Sequence, residues 1–330
     1  KCRGQVGTGL GFGRRYDSHD VTPACDQQTL GLAPGQSNAH RARCLLNYTR
    51  TRNARNHRMN LPLSPEQFAA EGVALVRGLV PESLLGSING VMRAQAARVM
   101  AALGNRPIGI GSRNGYHELV QRSPGRFDVS MHEQDLVPLW GAQGSMAADV
   151  PWLGLVRAVL GPDARPSFCG VVFSRPGSPA QQWHIDSPHE AAEPRTAHAV
   201  NVLVALADIP LAAGPTEVAR GTHLLTNHLQ RPWLDRDSLL YQSETEKVTP
   251  ATLRQPGQAE DAATQPVAQA MAAGDCLIFD DRILHRGLAN ASQQERWVAY
   301  FSYLRPRPGL EEIADTHFEA TRSLFGSKPR

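Results

Sequence analysis

The spacing of apolar positions changes twice along the chain. Up to about residue 60 it has no period. From Leu63 a helical spacing sets in. "LSPEQFAAEG" offers Ser64 as an N-cap and Pro65 at the first helical position. "VALVRGLV" follows as a short strand. "PESLLGSINGVMRAQAARVMAALG" then reads as an amphipathic helix ended by Gly104. Residues 105–150 read as mixed loop, and "PWLGLVRAVLG" (151–161) as a short helix with a glycine stop.

After residue 165 the period falls to two. "SFCGVVFSR", "QQWHID", "HAVNVLVALADI", "PTEVAR", "DCLIF" and "RWVAYFSYL" are β-branched or alternating runs between Gly, Pro and Asp turns. Many short strands with turn signals predict a mainly β fold with flanking helices, a jelly roll or double-stranded β-helix of the cupin kind. Its core is expected at about 165–305, inside a domain spanning 61–330. A polar stretch near 226–262 reads as helix and loop, and 310–326 as a C-terminal helix.

Composition supports a packed globule: 41% hydrophobic and 20% charged residues, with 29 Gly and 24 Pro that favour turns. No apolar run approaches a membrane span. The net charge of +3 is uneven. Residues 1–60 hold ten Lys/Arg against three Asp, so the remainder is about four units negative and shows no basic excess for nucleic acid. The Arg-rich segment 1–60 reads as a disordered or surface-wrapping arm, or as the remnant of a targeting sequence. Five cysteines form no C-x-x-C pair. Cys169 and Cys276 lie in apolar runs as buried thiols, which fits an intracellular protein, cytoplasmic or organellar.

The candidate chemistry starts at "QQWHIDSPHE", which holds the chain's His-x-Asp triplet, His184 and Asp186. With twelve His in the chain, one such triplet is unsurprising by chance, so its surroundings decide. On a strand, residues two apart share a face, so both side chains aim at one point while Ile185 packs behind them. An imidazole and a carboxylate are two members of the two-His, one-carboxylate set that binds non-haem Fe(II). "GDCLIFDDRILHRGLANAS" supplies His285 after a later strand; taken alone it reads more readily as a satisfied loop histidine than as a ligand. Eleven residues on, Arg296 opens "RWVAYFSYL", where alternation puts Arg296, Val298 and Tyr300 on one face. An inward guanidinium is costly unless it meets an anion, and its fork of donors suits a carboxylate. A salt bridge at the rim is the other reading.

At this point the sequence resembles the phytanoyl-CoA dioxygenase (PhyH) family of Fe(II)/2-oxoglutarate oxygenases. The resemblance covers about 63–305. It rests on four segments in order: "LSPEQFAAEGVALVRGLVPESLL", "WLGLVRAVLGPDARPSFCGVVFSRPGSPAQQWHID", "LADIPLAAGPTEVARGTHL" and "LHRGLANASQQERWVAYFSY". It implies iron ligands His184, Asp186 and His285, and Arg296 on the distal carboxylate of 2-oxoglutarate. It also implies a position near the co-substrate for Asn201, turnover supported by ascorbate, and O2 and a small organic molecule as substrates. Retention of Asp186 implies hydroxylation or desaturation; related halogenases lack that carboxylate. No segment matches a coenzyme A site, so acyl-CoA activity does not follow.

For the substrate, alternation beside the ligands nominates Gln182. The polar segment 114–135 reads as a lid or pocket wall, with Arg126 as an anion contact or a plain surface residue. His189 reads as exposed and His223 as a structural turn residue. Two other classes fit the pattern: a cupin-like jelly-roll metal enzyme that needs no 2-oxoglutarate, and a catalytically silent binding domain.

Overall fold

Ser64 caps the first helix as its position demands. Its hydroxyl accepts from the Gln67 backbone at 3.3 Å, while the Gln67 side chain accepts from the Ser64 N–H at 3.2 Å, a capping box. The computed structural model describes residues 64–111, 114–136, 139, 150–186, 196–225, 266–306 and 322–326. All of them fall in the unit formed by residues 60–330. The basic arm, the 226–262 stretch and His189 lie outside the described residues.

The helices are α1 (Pro65–Glu71), α2 (Glu82–Leu103) and α3 (Leu153–Leu160). The strands are β1 (Val73–Val76), β2 (Leu119–Ser123), β3 (Arg126–Met131), β4 (Arg165–Ser174), β5 (Ala199–Ala205), β6 (Thr216–Ala219), β7 (Pro266–Ala268), β8 (Cys276–Asp280), β9 (His285–Gly287) and β10 (Arg296–Leu304). Seven form one antiparallel sheet in the order β1-β8-β5-β10-β4-β3-β2, and three form a second in the order β7-β6-β9. These are the two sheets of the expected double-stranded β-helix.

Strand β10 shows why the large sheet has one wet and one dry face. Its odd positions, Trp297, Ala299, Phe301 and Tyr303, join the apolar core on the helix side. There α2 contributes Ile88, Met92 and Val99, and α3 contributes Val156 and Leu160. Each such side chain removed from water contributes roughly 1.5–3 kcal/mol. The even positions Arg296, Val298 and Tyr300 line a cavity on the other face. One polar group on the dry side is satisfied internally: the indole of Trp152 donates to the Tyr303 hydroxyl at 2.8 Å.

Three expectations need correction. Residues 105–150 are not all loop, because β2 and β3 pair as a hairpin and extend the large sheet beside β4. The run "RFDVSM" alternates as a strand should, but its inward positions are the charged Arg126 and Asp128, which masked the signal. Of the two readings of 114–135, lid or pocket wall, the second holds: Arg122 and Asp128 from this hairpin line the cavity. "QQWHID" is not a strand: His184 makes a single antiparallel bridge to His285 at the edge of the small sheet. Residues 322–323 carry no regular structure and 324–326 are bends, not helix, and 307–321 lie outside the described residues. Among the described residues no helix is long and apolar enough to cross a membrane. Cys169 and Cys276 are free and buried, as expected.

Candidate metal centre

Paired backbone bonds bring the two histidines together. The His184 N–H donates to the His285 carbonyl at 3.0 Å, and the His285 N–H returns the bond at 2.9 Å. Asp186 is fixed next, its N–H donating to the Asp281 carbonyl at 2.8 Å. Ile185 turns the opposite way and packs with Ala219 and Leu284. The alternation expected of a strand thus holds at these three residues, carried by one bridge.

The ligating atoms of His184, Asp186 and His285 all lie within 4.8 Å of one another. His184 Nε2 is 3.9 Å from Asp186 Oδ1, and His285 Nε2 is 3.6 Å from Asp186 Oδ2. The other ring nitrogens are occupied. His184 Nδ1 lies 2.9 Å from the Gln182 carbonyl and His285 Nδ1 lies 3.0 Å from the Ile283 carbonyl. A carbonyl only accepts, so each Nδ1 carries the proton and each Nε2 presents its lone pair to the centre. Burial pushes the His184 imidazole down to about 3, and the neighbouring His285 acts in the same direction. The ring is neutral at physiological pH, the form a metal requires. Two neutral imidazoles and a carboxylate on one side of a point fit a divalent first-row metal and leave its far side open.

The cavity around this centre holds about 100 Å³. Asn201, on β5, lines it and donates to Asp186 Oδ2 at 2.7 Å. Arg296 stands in the same cavity, with Nη1 donating to the Gly214 carbonyl at 2.5 Å. Gly214 is obligatory there. Its φ is +72°, and a Cβ would meet the Leu288 and Ala289 carbonyls at 2.4 Å. Sequence reasoning missed a further part of the cavity wall. Arg122 grips Asp128 Oδ2 through Nε at 2.9 Å and Nη2 at 2.6 Å, while the Tyr300 hydroxyl donates to Asp128 Oδ1 at 2.9 Å. Burial alone would lower the Arg122 pKa; the Asp128 carboxylate outweighs it and the net shift is upward.

The structure separates the two substrate candidates. Gln182 is exposed, because the segment is not a regular strand and alternation does not extend to it. Its neighbour Gln181 lines the cavity instead. Arg126 is no surface residue: it is fully buried on β3. His223 is structural, its Nε2 lying 3.0 Å from the carbonyl of Ala69 in α1.

The sequence profile of the phytanoyl-CoA dioxygenase (PhyH) family matches residues 68–298. Several solved structures are similar. AviO1 from Streptomyces viridochromogenes Tue57 superposes with a TM-score of 0.48 at 18% identity, over 74% of this chain and 94% of that one. SnoK, a non-haem alpha-ketoglutarate-dependent carbocyclase from nogalamycin biosynthesis, gives 0.49 at 17%, over 81% and 94%. HygX from Streptomyces hygroscopicus, solved with nickel, 2-oxoglutarate and hygromycin B, gives 0.46 at 15%, over 74% and 87%. The profile match covers more than half of the chain, and on that ground the chain belongs to the phytanoyl-CoA dioxygenase family and so to the 2-oxoglutarate-dependent dioxygenases.

Proposed function

We propose that the protein hydroxylates or desaturates a C–H bond of a small organic substrate, consuming O2 and 2-oxoglutarate and releasing succinate and CO2. The observation that carries this reading is the placement of His184, Asp186 and His285 in one cavity with a buried Arg296. Fe(II) bound at the triad would supply the oxidative chemistry, one oxygen atom of O2 passing into succinate and the other into the hydroxylated product or, on desaturation, into water. The chain's own groups do the rest. The two imidazoles and Asp186 occupy one side of the metal and leave the other for co-substrate and O2. Asn201 holds the Asp186 carboxylate in place. Arg296 offers a charged fork to the distal carboxylate of 2-oxoglutarate. Phe168, Val172, Leu203 and Val298 give the cavity an apolar surface that restricts water. Ascorbate serves to keep the iron reduced.

The test is succinate release from 2-oxoglutarate with Fe(II) and ascorbate over a substrate panel, coupled to mass analysis of the product. The expected product gains one oxygen or loses two hydrogens. A product of unchanged mass would reject hydroxylation and desaturation together. Turnover indifferent to 2-oxoglutarate would move the protein to the cupin-like class.

A further inference from the structure

Three buried polar residues form a row across the large sheet. Arg126 on β3 is in register with Ser174 on β4, and Ser174 is in register with Arg296 on β10. Paired residues of an antiparallel sheet point to the same face, so the two guanidinium side chains flank one small hydroxyl. Arg126 and Ser174 are fully buried and Arg296 is 4% exposed. Each keeps a polar atom without a hydrogen-bond partner: Arg126 Nε, Ser174 Oγ and Arg296 Nε.

The row is also short of negative charge. Arg126 donates only to neutral acceptors, the Gln181 side chain at 2.8 Å and the Leu288 and Pro179 carbonyls at 2.6 and 3.3 Å. Arg296 donates to the Gly214 carbonyl. Among the described residues neither makes an ion pair with a carboxylate. Burial lowers the Arg296 pKa to about 9, and the charge of Arg126 pushes the same way. Burial lowers Arg126 to about 10. Two buried cations that repel each other across a hydroxyl are costly until an anion joins them.

The cavity reaches this row. Arg296 lines it directly. Arg126 stands against Gly287, which also lines it, on the side its missing side chain would occupy; a Cβ on Gly287 would fall 1.8 Å from Arg126 Nη1. Glycine at 287 leaves that guanidinium the room it needs beside the cavity wall.

We propose that Arg126 and Ser174 complete, with Arg296, the binding site for the distal carboxylate of the co-substrate, so that two cations and a hydroxyl select a dicarboxylic 2-oxo acid. The proposal rests on the oxygenase reading above and adds a second cation to it. Arg126 supplies charge from its place against Gly287, and Ser174 supplies a hydroxyl donor between the two guanidinium groups.

The experiment is calorimetric titration of the Fe(II)-loaded full chain without O2, using 2-oxoglutarate and 2-oxopentanoate, which lacks the distal carboxylate. Arg126→Gln should weaken 2-oxoglutarate by about tenfold and leave 2-oxopentanoate unchanged. Equal weakening of both ligands would mark Arg126 as a purely structural clamp and overturn the proposal, and so would no change in either. Ser174→Ala removes one oxygen and disturbs packing least. It should weaken 2-oxoglutarate selectively by about threefold to tenfold, the range of one hydrogen bond. An unaltered preference in Ser174→Ala overturns the proposal even where Arg126→Gln does not fold. A wild-type chain that binds both ligands equally would instead reject the oxygenase reading, and this site with it.

Discussion

The Asn201 amide nitrogen donates to Asp186 Oδ2 at 2.7 Å, while the Ser302 hydroxyl donates to the Asn201 amide oxygen. Asn201 and Ser302 are in register on β5 and β10, so the chain Ser302–Asn201–Asp186 is built into the sheet. A carboxylate only accepts, which fixes the orientation of the amide. Asn201 therefore holds Asp186, whatever it also offers a co-substrate. Groups that orient metal ligands typically contribute 10- to 100-fold to affinity, so Asn201→Ala should weaken metal binding by about that factor. Ser302→Ala, which leaves the amide in place but unanchored, should cost less. Metal competition titrations on both variants measure this, and unchanged affinity in Asn201→Ala would remove the residue from the site.

Removing a ligand is a harsher change. His184→Ala or His285→Ala leaves two donors on a site that needs three, and the bridge between the two residues is backbone, so the fold should persist. Both variants are expected to lose bound iron and substrate-dependent succinate release together. Elemental analysis after gel filtration gives the first quantity. A His285→Ala protein that retains stoichiometric iron would show the centre to be elsewhere.

How far the sequence disclosed this arrangement depended on which face of each strand was apolar. Strand β10 was readable because Trp297, Ala299, Phe301 and Tyr303 are all apolar and Arg296 breaks the pattern on the other face. The hairpin β2–β3 was not, because its inward face holds Arg122, Arg126 and Asp128, residues that in isolation signal a solvated loop. The Pro124-Gly125 turn between two alternating runs was the signal available. The triad was legible through the spacing of His184 and Asp186, but Gln182 was the wrong neighbour to nominate. A single bridge holds His184, and register beyond it follows the local backbone. The row of Arg126, Ser174 and Arg296 joins residues far apart in sequence, and only the pairing of three strands reveals it.

Arg296 tests the co-substrate assignment most directly. Arg296→Lys keeps a charge and loses the planar fork, so one charge-assisted hydrogen bond of roughly 1.5–3 kcal/mol is at stake. The apparent KM for 2-oxoglutarate should rise about tenfold or more, each 1.4 kcal/mol being one decade. Arg296→Ala should be worse, since the carboxylate would then be buried without its partner. Iron should stay bound in both, because the side chain is no ligand. A 2-oxoglutarate titration of both variants beside an iron assay decides it; an unchanged KM in Arg296→Ala rules the residue out.

The pair His198–Asp281 should give the fold a pH dependence of its own. His198 Nε2 lies 3.4 Å from Asp281 Oδ2, and both side chains are largely buried. Burial by itself would lower the imidazole pKa, but the Asp281 charge and hydrogen bond outweigh it and the net shift is upward. A raised histidine binds its proton more tightly in the folded chain than in the unfolded one, whose pKa is about 6.5. The stabilisation is therefore fully present below about pH 6.5 and is lost as pH rises through the folded value. His198→Gln carries no titrating group, so wild type should exceed it in stability most at pH 6 and progressively less toward pH 9. Denaturant midpoints of the two proteins across that range measure the difference. A gap that stays constant with pH would show that the imidazole is not protonated in the fold, and a gap that widens with pH would reverse the sign of the linkage.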